Sequence, residues 1–292
     1  MFPPALLHTL TAVIETGSFE RAAARLGVTP PAISQRMRAL TEAAGGPVLA
    51  RTRPAEATPL GLRLLRHARD VAALQADLAA DLGATTGPRP VTVAINADSL
   101  ETWAVDALAA APGFRFDVVV LDQDHTADAL RRGEVSAAVT SEARAIPGCV
   151  AHPLGALRYR ATCTPAFRDR YFADGVTAAA IAAAPVLQFT SMDALQHRWL
   201  SSHAPGTPPP AHRIPAPGPF TEATRAGLGW GLNPEVAVAG DLASGRLVEM
   251  IADTPLDTPL HWQVSRAMAE VLSPLTRAMR RTARAALIRA DG

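Results

Sequence analysis

The stretch between Ser18 and Leu40 constrains the fold of this chain more than any other part of its sequence. Two short amphipathic helical patterns meet there at Gly27, and apolar residues recur at helical spacing in each of them. Ser18 stands at the N-cap position of the first helix, and Gly27 can end that helix in the left-handed conformation because it has no Cβ. Pro30 and Pro31 suit the first turn of the second helix, where a missing N–H is not needed. The stretch therefore predicts two short helices joined by a tight glycine turn.

The second helix has one apolar face and one polar face. Ile33, Met37 and Leu40 recur at spacings of four and three, so the other positions carry Ser, Gln and Arg side chains outwards. A short helix, a turn and a helix with a polar outer face are typical of a helix-turn-helix, whose second helix enters the DNA major groove. The alternative is a helical hairpin whose outer face is only solvated.

A short run after the second helix has the pattern of a wing. Arg51 and Arg53 stand two positions apart in this run, which Pro54 closes. In an extended strand this spacing places both guanidinium groups on one side, towards phosphate. We therefore expect a winged helix-turn-helix over residues 1 to 58. The expected DNA-binding residues are Ser18, Pro30, Pro31, Ala32, Ser34, Gln35, Arg36, Arg38, Arg51 and Arg53.

These residues resemble the signature of the N-terminal domain of LysR-type transcriptional regulators. Two positions depart from that signature: Thr41 replaces the usual acid, and Ala50 replaces the usual Phe before Arg51. The positions that carry the resemblance are Phe19, Ala22, Ala23, Leu26, Ala32, Ser34, Leu40, Gly45, Arg51, Thr58 and Gly61. The resemblance implies a regulator that binds double-stranded promoter or operator DNA.

Charge is distributed unevenly along the 292 residues. Residues 1 to 69 hold nine Arg against four Glu, a balance of +5, whereas the whole chain carries +1. A basic module joined to a slightly acidic remainder is typical of a DNA-binding domain joined to a sensing domain. The sequence has no apolar run of about 18 residues, no signal-peptide pattern and only two cysteines. We therefore expect a cytoplasmic protein that has no membrane span and no disulfide framework.

A long apolar stripe runs from Pro59 to about Leu82, and we expect this helix to end at Gly83. The stripe packs on its own domain in one interpretation. In the other, which the family resemblance implies, it pairs with the same helix of a second subunit. We favour a homodimer, and a tetramer built from it, because a helix-turn-helix generally needs two half-sites. Residues 59 to 90 form the linker helix and hinge in this assignment. The expected dimer residues are Leu60, Leu64, Val71, Leu74 and Leu78.

From Val91 onwards, short apolar runs rich in β-branched residues alternate with helical patterns, which predicts βαβ units and a parallel sheet. Two such lobes, crossed twice by the chain, resemble the periplasmic-binding-protein fold, which is also the effector domain of LysR-type regulators. We expect lobe I over residues 91 to 160 and 263 to 292, and lobe II over residues 161 to 262. The fold class is thus a multidomain α+β chain: a winged helix-turn-helix, a long linker helix and a two-lobed α/β effector domain. The expected strands cover 91–96, 116–122, 136–141, 160–164, 186–189, 213–216 and 261–266, and the last helix covers 273–288.

Polar side chains cluster where three of these strands end, which is where ligands of such folds bind. One interpretation of the first strand end is a capping box, in which Asp98 caps a helix together with Glu101. The other is that helix N–H groups, with Ser99 and Thr102, receive a ligand carboxylate. Acids at the neighbouring strand ends then pair with a cationic group of the ligand. The expected effector-binding residues are Asp98, Ser99, Thr102, Asp124, Thr140 and Glu142.

Segments in both lobes extend the resemblance to one branch of the family. NADSLETW, LDQDHT, LRRGEVSAAVTSE and AGLGWGLNPE are similar to the regulators that sense lysine and arginine and activate the gene for their exporter. Asn233 departs from the aliphatic residue expected before Pro234, and FTSMDALQ is less basic than its counterparts. The resemblance implies L-lysine or L-arginine as a small-molecule co-inducer and no cofactor.

Catalytic motifs do not occur in this sequence. No phosphate loop, nucleophile elbow or GxGxxG follows an expected strand, and the eight His residues show no metal-ligand spacing. We therefore expect neither a catalytic residue nor a metal ligand. The alternative to a regulator is a small-molecule-binding α/β protein, or an enzyme, whose helical N-terminal extension dimerises.

Overall fold

The computed structural model describes residues 2–50, 52–82, 87–121, 126–191, 193–206 and 208–289. Arg51, Gly83 and Asp124, which the sequence analysis singled out, lie outside these residues. The N-terminal helices share one hydrophobic core, and the remainder of the chain is built around a larger one. None of the described helices is both long and apolar enough to cross a membrane.

The helix-turn-helix expected from the sequence is confirmed. Ser18 caps the second helix, where its Oγ accepts a hydrogen bond from Arg21 N at 3.1 Å, and Gly27 ends that helix with φ 64°. The apolar face of the third helix, Ile33, Met37 and Leu40, is buried in the N-terminal core. The four N-terminal helices are α1 (Pro4–Thr16), α2 (Phe19–Leu26), α3 (Pro30–Ala44) and α4 (Pro59–Asp81).

The loop after α3 forms the expected wing, but its extended run stops short of Arg53. Only a single antiparallel bridge, Leu49 to Ala57, joins the two sides of this loop among the described residues. Arg53 and Pro54 form an exposed bend, so strand alternation does not apply at Arg53. The sequence signal was one proline, which closes a bend as readily as it ends a strand.

Helix α4 changes its surroundings along its length. Leu64 is buried in the core of the N-terminal domain, and Leu60 packs against that core. Further along, the exposed fractions of Leu74 and Leu78 are 43% and 59%. The first turns of α4 therefore belong to their own domain, and the apolar stripe is exposed only in its second half.

Within the described residues, seven strands of the C-terminal part form one sheet. Its order is β2 (Phe114–Val120), β1 (Arg89–Ile95), β3 (Ala137–Thr140), β9 (Leu256–Ser265), β4 (Cys149–Cys163) and β7 (Gly231–Pro234), and β8 (Val248–Glu249) pairs with β4. Strand β1 is parallel to both β2 and β3, which confirms the βαβ units expected from the sequence. The first elements are β1 (Arg89–Ile95), α5 (Ala97–Ser99), a π-helical turn (Leu100–Ala104), α6 (Val105–Ala109), β2 (Phe114–Val120), α7 (Thr126–Arg131) and β3 (Ala137–Thr140).

Two long antiparallel strands, β4 (Cys149–Cys163) and β9 (Leu256–Ser265), carry the chain between the lobes. Both are longer than the runs expected from the sequence, and the lobe boundaries assigned there fall inside them. The second lobe contains α8 (Pro165–Tyr171), α9 (Ala178–Ala183), β5 (Val186–Gln188), α10 (Leu195–His203), β6 (Ala211–Arg213), α11 (Pro217–Arg225), β7 (Gly231–Pro234), α12 (Glu235–Ser244) and β8 (Val248–Glu249). After β9, a 3-10 turn (Arg266–Met268) leads to α13 (Ser273–Ala286), which packs back on the first lobe.

Candidate functional site

A cavity of about 680 Å³ lies between the two lobes. Lobe I contributes the ends of β1 and β2 and the turn after α7, and lobe II contributes residues from β5 to α11 and from β7. A volume of this size is typical of pockets that bind a small molecule. The cavity therefore lies where the strand-end rule places the ligand.

Charged side chains from both lobes line the cavity, and some of them already have a charged partner. Asp128 pairs with Arg131 at 2.7 Å, and Glu134 pairs with Arg132 at the same distance. These two acids are therefore largely neutralised by their neighbours.

Two further acids of the cavity accept hydrogen bonds from uncharged donors. Tyr159 donates its hydroxyl to Asp98 Oδ2 at 2.6 Å. The backbone N–H groups of Phe189 and Leu195 donate to the two carboxylate oxygens of Asp193, each at 3.0 Å. Such bonds favour the ionised form of a carboxylate. Asp98 in lobe I and Asp193 in lobe II thus each place a hydrogen-bonded carboxylate in the cavity wall.

Tyr159 donates to Asp98 from outside the residues that line the cavity. Tyr159 belongs to the crossing strand β4, and only 1% of its surface is exposed. Burial raises the pKa of Tyr159 well above its usual value, the charges of Asp98 and Asp193 raise it further, and Arg198 lowers it. Tyr159 therefore stays protonated and keeps donating its hydroxyl to Asp98.

Two amide side chains add acceptors to the same cavity. Asn96 and Gln196 line it from opposite lobes, and both are buried. Their oxygens, Asn96 Oδ1 and Gln196 Oε1, have no hydrogen-bond partner within the part of the chain that the structure describes. An unpaired buried acceptor costs about 1–3 kcal/mol. Two such acceptors beside two carboxylates suit a ligand that is rich in N–H donors.

The structure brings only part of the expected effector site together. Asp98 lines the cavity, whereas Ser99, Thr102, Thr140 and Glu142 are not among the lining residues in the described chain. Ser99 is fully buried, and the Thr102 hydroxyl donates to Asp98 O at 2.6 Å within the helix. Thr140 Oγ1 accepts a hydrogen bond from Glu142 N at 3.1 Å, and Glu142 is exposed.

The capping box expected at Asp98 and Glu101 is wrong. The N-cap of this helix is Asn96, which makes no side-chain cap hydrogen bond, and Asp98 lies inside the first turn. The carboxylate of Asp98 is bonded instead to Tyr159, which is 61 residues away in the chain. The local pattern was compatible with a cap, but a tertiary contact decides where the carboxylate points.

Sequence reasoning missed the lobe II half of this cavity. Asp193, Gln196 and Arg198 follow β5, and the strand-end rule that selected Asp98 would have selected Asp193 had it been applied there. Tyr159 gave no such signal, because it lies within a strand. Among the described residues, no group of three His, Cys, Asp or Glu side chains could hold a metal ion.

The expected DNA-binding residues of α3 lie mostly on its exposed side. The exposed residues are Pro30, Pro31, Ser34, Gln35 and Arg38, and Ala32 is half-buried. Arg36 is also half-buried, and its Nη1 donates to Thr9 Oγ1 of α1 at 3.5 Å. Arg53 is exposed in the bend after α3, whereas the Ser18 hydroxyl is used as the cap of α2.

An N-terminal helix-turn-helix joined to a two-lobed domain with a charged cavity defines a ligand-responsive DNA-binding regulator. Residues 4–62 match the model of the bacterial regulatory helix-turn-helix protein, lysR family, and residues 89–288 match the LysR substrate binding domain. The chain belongs to the LysR family of bacterial transcriptional regulators. This membership decides against the alternative of an enzyme with a helical extension.

Relatives that are similar in sequence and in structure indicate the branch of the family to which this chain is most similar. The lysine export transcriptional regulatory protein LysG of Corynebacterium glutamicum is 40% identical over 283 residues, which cover 94% of this chain and 96% of LysG. The crystal structure of ArgP from Mycobacterium tuberculosis is 39% identical, with a TM-score of 0.92 and full coverage of both chains. Full-length LysG of C. glutamicum with bound effector Arg has a TM-score of 0.83 at 39% identity, covering 98% of this chain and 99% of LysG.

Proposed function

We propose that this protein is a cytoplasmic transcriptional regulator that binds L-lysine or L-arginine and controls the gene of a basic amino acid exporter. The observation that carries the proposal is that two carboxylates, Asp98 from lobe I and Asp193 from lobe II, both line the cavity. The name of the C. glutamicum relative and the arginine bound to its structure support the same choice of effector and target.

The cationic end of the ligand would lie between Asp98 and Asp193. A cation that enters a cleft without a partner costs several kcal/mol, so a site for lysine or arginine needs at least one carboxylate. The acceptor oxygens of Asn96 and Gln196 would take further N–H groups of a guanidinium or ammonium. Only Asp98 of this set was expected from the sequence.

The α-carboxylate of the ligand would pair with Arg198. Arg198 lines the cavity and donates one hydrogen bond, from Nη2 to Thr258 Oγ1 at 3.1 Å, and a guanidinium carries five donors in total. From the sequence we expected Ser99 and Thr102 in this role, with Thr140 as a further effector-binding residue. We prefer Arg198, because the hydroxyls of Thr102 and Thr140 are engaged within the protein.

DNA binding and assembly complete the proposal. Helix α3 would enter the major groove with its exposed polar side, and Arg53 would contact phosphate. The exposed apolar residues Leu74 and Leu78 of α4, with Leu82 just after it, would pair with those of a second subunit. Two such dimers would form the tetramer.

Calorimetric titration of the full-length protein with matched ligand pairs tests the effector. Citrulline has the shape of arginine without its charge, and norleucine has the chain of lysine without its ammonium. We expect arginine or lysine to bind and the neutral member of each pair to bind at least 30-fold more weakly. Equal affinity for arginine and citrulline, together with equal affinity for lysine and norleucine, would refute a cation-sensing cavity.

A further inference from the structure

Three polar side chains on one face of the linker helix α4 form hydrogen bonds with lobe I of the same chain. Arg66, Arg69 and Asp70 stand three and four positions apart, which places them side by side on a helix. Each of them bonds to a different segment of the effector domain. We name these three residues the latch.

Arg69 reaches the turn that ends α7. Its Nη1 donates to Gly133 O at 2.7 Å. This turn is closed by two backbone bonds, Gly133 N to Leu130 O at 3.0 Å and Glu134 N to Ala129 O at 2.9 Å. Gly133 has φ 65°, so the turn is the glycine end of a helix, with its carbonyl turned towards the linker.

Arg66 reaches the loop before β4. Its guanidinium donates to Pro147 O at 3.2 Å and to Gly148 O at 2.9 Å, and it lies 3.5 Å from the thiol of Cys149. The approach is so close that a Cβ atom added at Gly133 would overlap the side chain and backbone of Arg66. Gly133 is therefore required for α4 to lie in this position.

Asp70 reaches the end of β9. Ser265 donates its hydroxyl to the carboxylate of Asp70, at 3.3 and 3.4 Å from the two oxygens. The backbone of Ser265 in turn bonds to Ser136 O at 2.9 Å, just beyond the turn that holds Arg69. Arg69 therefore bonds to the turn after α7 directly, and Asp70 is connected through Ser265 to Ser136, which follows that turn.

The same turn forms part of the cavity wall. Arg132, Glu134 and Val135 line the cavity, while the carbonyl of Gly133 between them holds Arg69. We name Arg132–Val135 the cavity turn. Its two sides face the ligand cavity and the linker helix, so a shift of the turn changes both contacts at once.

We propose that the cavity turn and the latch couple the occupancy of the cavity to the position of the linker helix, and through it to DNA affinity. The proposal rests on the proposed function, because it requires an effector in this cavity. Coupling between two sites is a free energy that both ligands share, and it is typically 5- to 150-fold in affinity. Breaking the latch should abolish the effect of arginine on operator affinity, while arginine binding and DNA binding by themselves remain.

The coupling is measured as the ratio of operator dissociation constants with and without saturating arginine, on DNA selected by the full-length protein. Arg69→Ala removes the bond to the cavity turn, and Gly133→Ala forces α4 off it. We expect a ratio of at least fivefold for the wild type and a ratio within twofold of unity for both variants. Calorimetry should show that Arg69→Ala, which lies outside the cavity lining, still binds arginine. A wild-type ratio in both variants would overturn the proposal.

Two control variants separate the latch from other effects. Arg63→Ala removes a charge from the same helix, but Arg63 is exposed and makes no hydrogen bond or ion pair with the described residues. Gly245→Ala imposes a similar backbone strain at φ 73°, where an added Cβ would meet nothing within 4 Å. Both controls should keep the wild-type ratio, and a loss of coupling in them would overturn the assignment to the latch.

A readout without ligand keeps this proposal separate from the effector assignment. Cys149 is buried beside Arg66, and the only other cysteine, Cys163, is buried in the second lobe and serves as an internal reference. Gly133→Ala and Arg69→Ala should speed thiol modification of Cys149 at least fivefold, and Arg63→Ala should not. If the wild type binds neither arginine nor lysine, the proposed function fails, while faster modification still supports the latch. An unchanged Cys149 rate in both variants would overturn the latch, whatever the ligand.

Discussion

Replacing Asp98 by Asn should weaken the binding of arginine selectively. The amide has nearly the shape of the carboxylate, and its oxygen can still accept the hydrogen bond that Tyr159 donates at 2.6 Å. The substitution therefore removes a charge and leaves the local packing in place. Only a ligand that carries the matching positive charge should respond to it.

The size of the effect follows from the exposure of Asp98. Two unit charges about 4 Å apart interact by about 4 kcal/mol at the effective dielectric constant of a protein surface. Asp98 is half-buried, and Asp193 faces the same space from the other lobe, so we assign to Asp98 roughly half of this energy. A loss of about 2 kcal/mol in binding free energy corresponds to a roughly 30-fold larger dissociation constant for arginine.

A double-mutant cycle with arginine and citrulline isolates this charge interaction. Calorimetry on the wild type and on Asp98→Asn gives four dissociation constants, and their ratio is the coupling between the carboxylate and the guanidinium. Asp128→Asn is the matched control, because Asp128 also lines the cavity but is paired with Arg131. We expect the control to change arginine affinity by less than about threefold, as is typical of an exposed pair. Equal losses for arginine and citrulline in Asp98→Asn would refute the reasoning.

Three further outcomes follow from the structure. Leu74→Glu should convert the dimer to a monomer in sedimentation velocity, because Leu74 is 43% exposed on α4. Gln75→Glu is the control. A Leu74→Glu protein that stays dimeric would contradict the proposed interface. Gln35→Ala should relax base preference by about 1–3 kcal/mol in binding to selected DNA. Arg53→Ala should weaken the affinity for all DNA sequences alike and reduce the slope of log affinity against log salt concentration by about 0.9. Unchanged specificity in Gln35→Ala would exclude a base contact. Asp241→Asn should cost about 1–3 kcal/mol in urea unfolding at pH 7, because hydrogen bonds from Arg225 lower the pKa of Asp241. That stability is present above the usual Asp range and is lost as the pH falls through the lowered pKa, so a difference that stays constant down to pH 3 would contradict it.

The N-terminal domain could be predicted from sequence because its signals are local. Ser18 and Gly27 each act within a few residues of their own position, through a cap and a left-handed turn. Ile33, Met37 and Leu40 lie on one face of one helix, and the helical period alone selects them. Local chemistry and tertiary structure agree at these positions.

The missed elements depend on contacts that are distant in sequence. Only the end of β4 was expected as a strand, because Pro153 and Gly155 interrupt the apolar pattern in its first half. In the structure, β9 pairs with β4 along most of its length and stabilises the whole strand. The sequence placed Asp98 at a helix start but could not show that Tyr159 would hold its carboxylate. Arg66 and Asp70 gave no signal in the sequence beyond being polar positions of a long helix, and only the structure shows that they bond to lobe I.

A basic amino acid in the cavity should change how strongly the protein binds its operator. The most direct test measures the operator dissociation constant with and without saturating arginine, and the arginine dissociation constant with and without operator. Thermodynamic linkage requires both to change by the same factor, and we expect that factor to be at least fivefold and to be absent with citrulline. An operator affinity that arginine leaves unchanged, or that citrulline changes equally, would contradict the account.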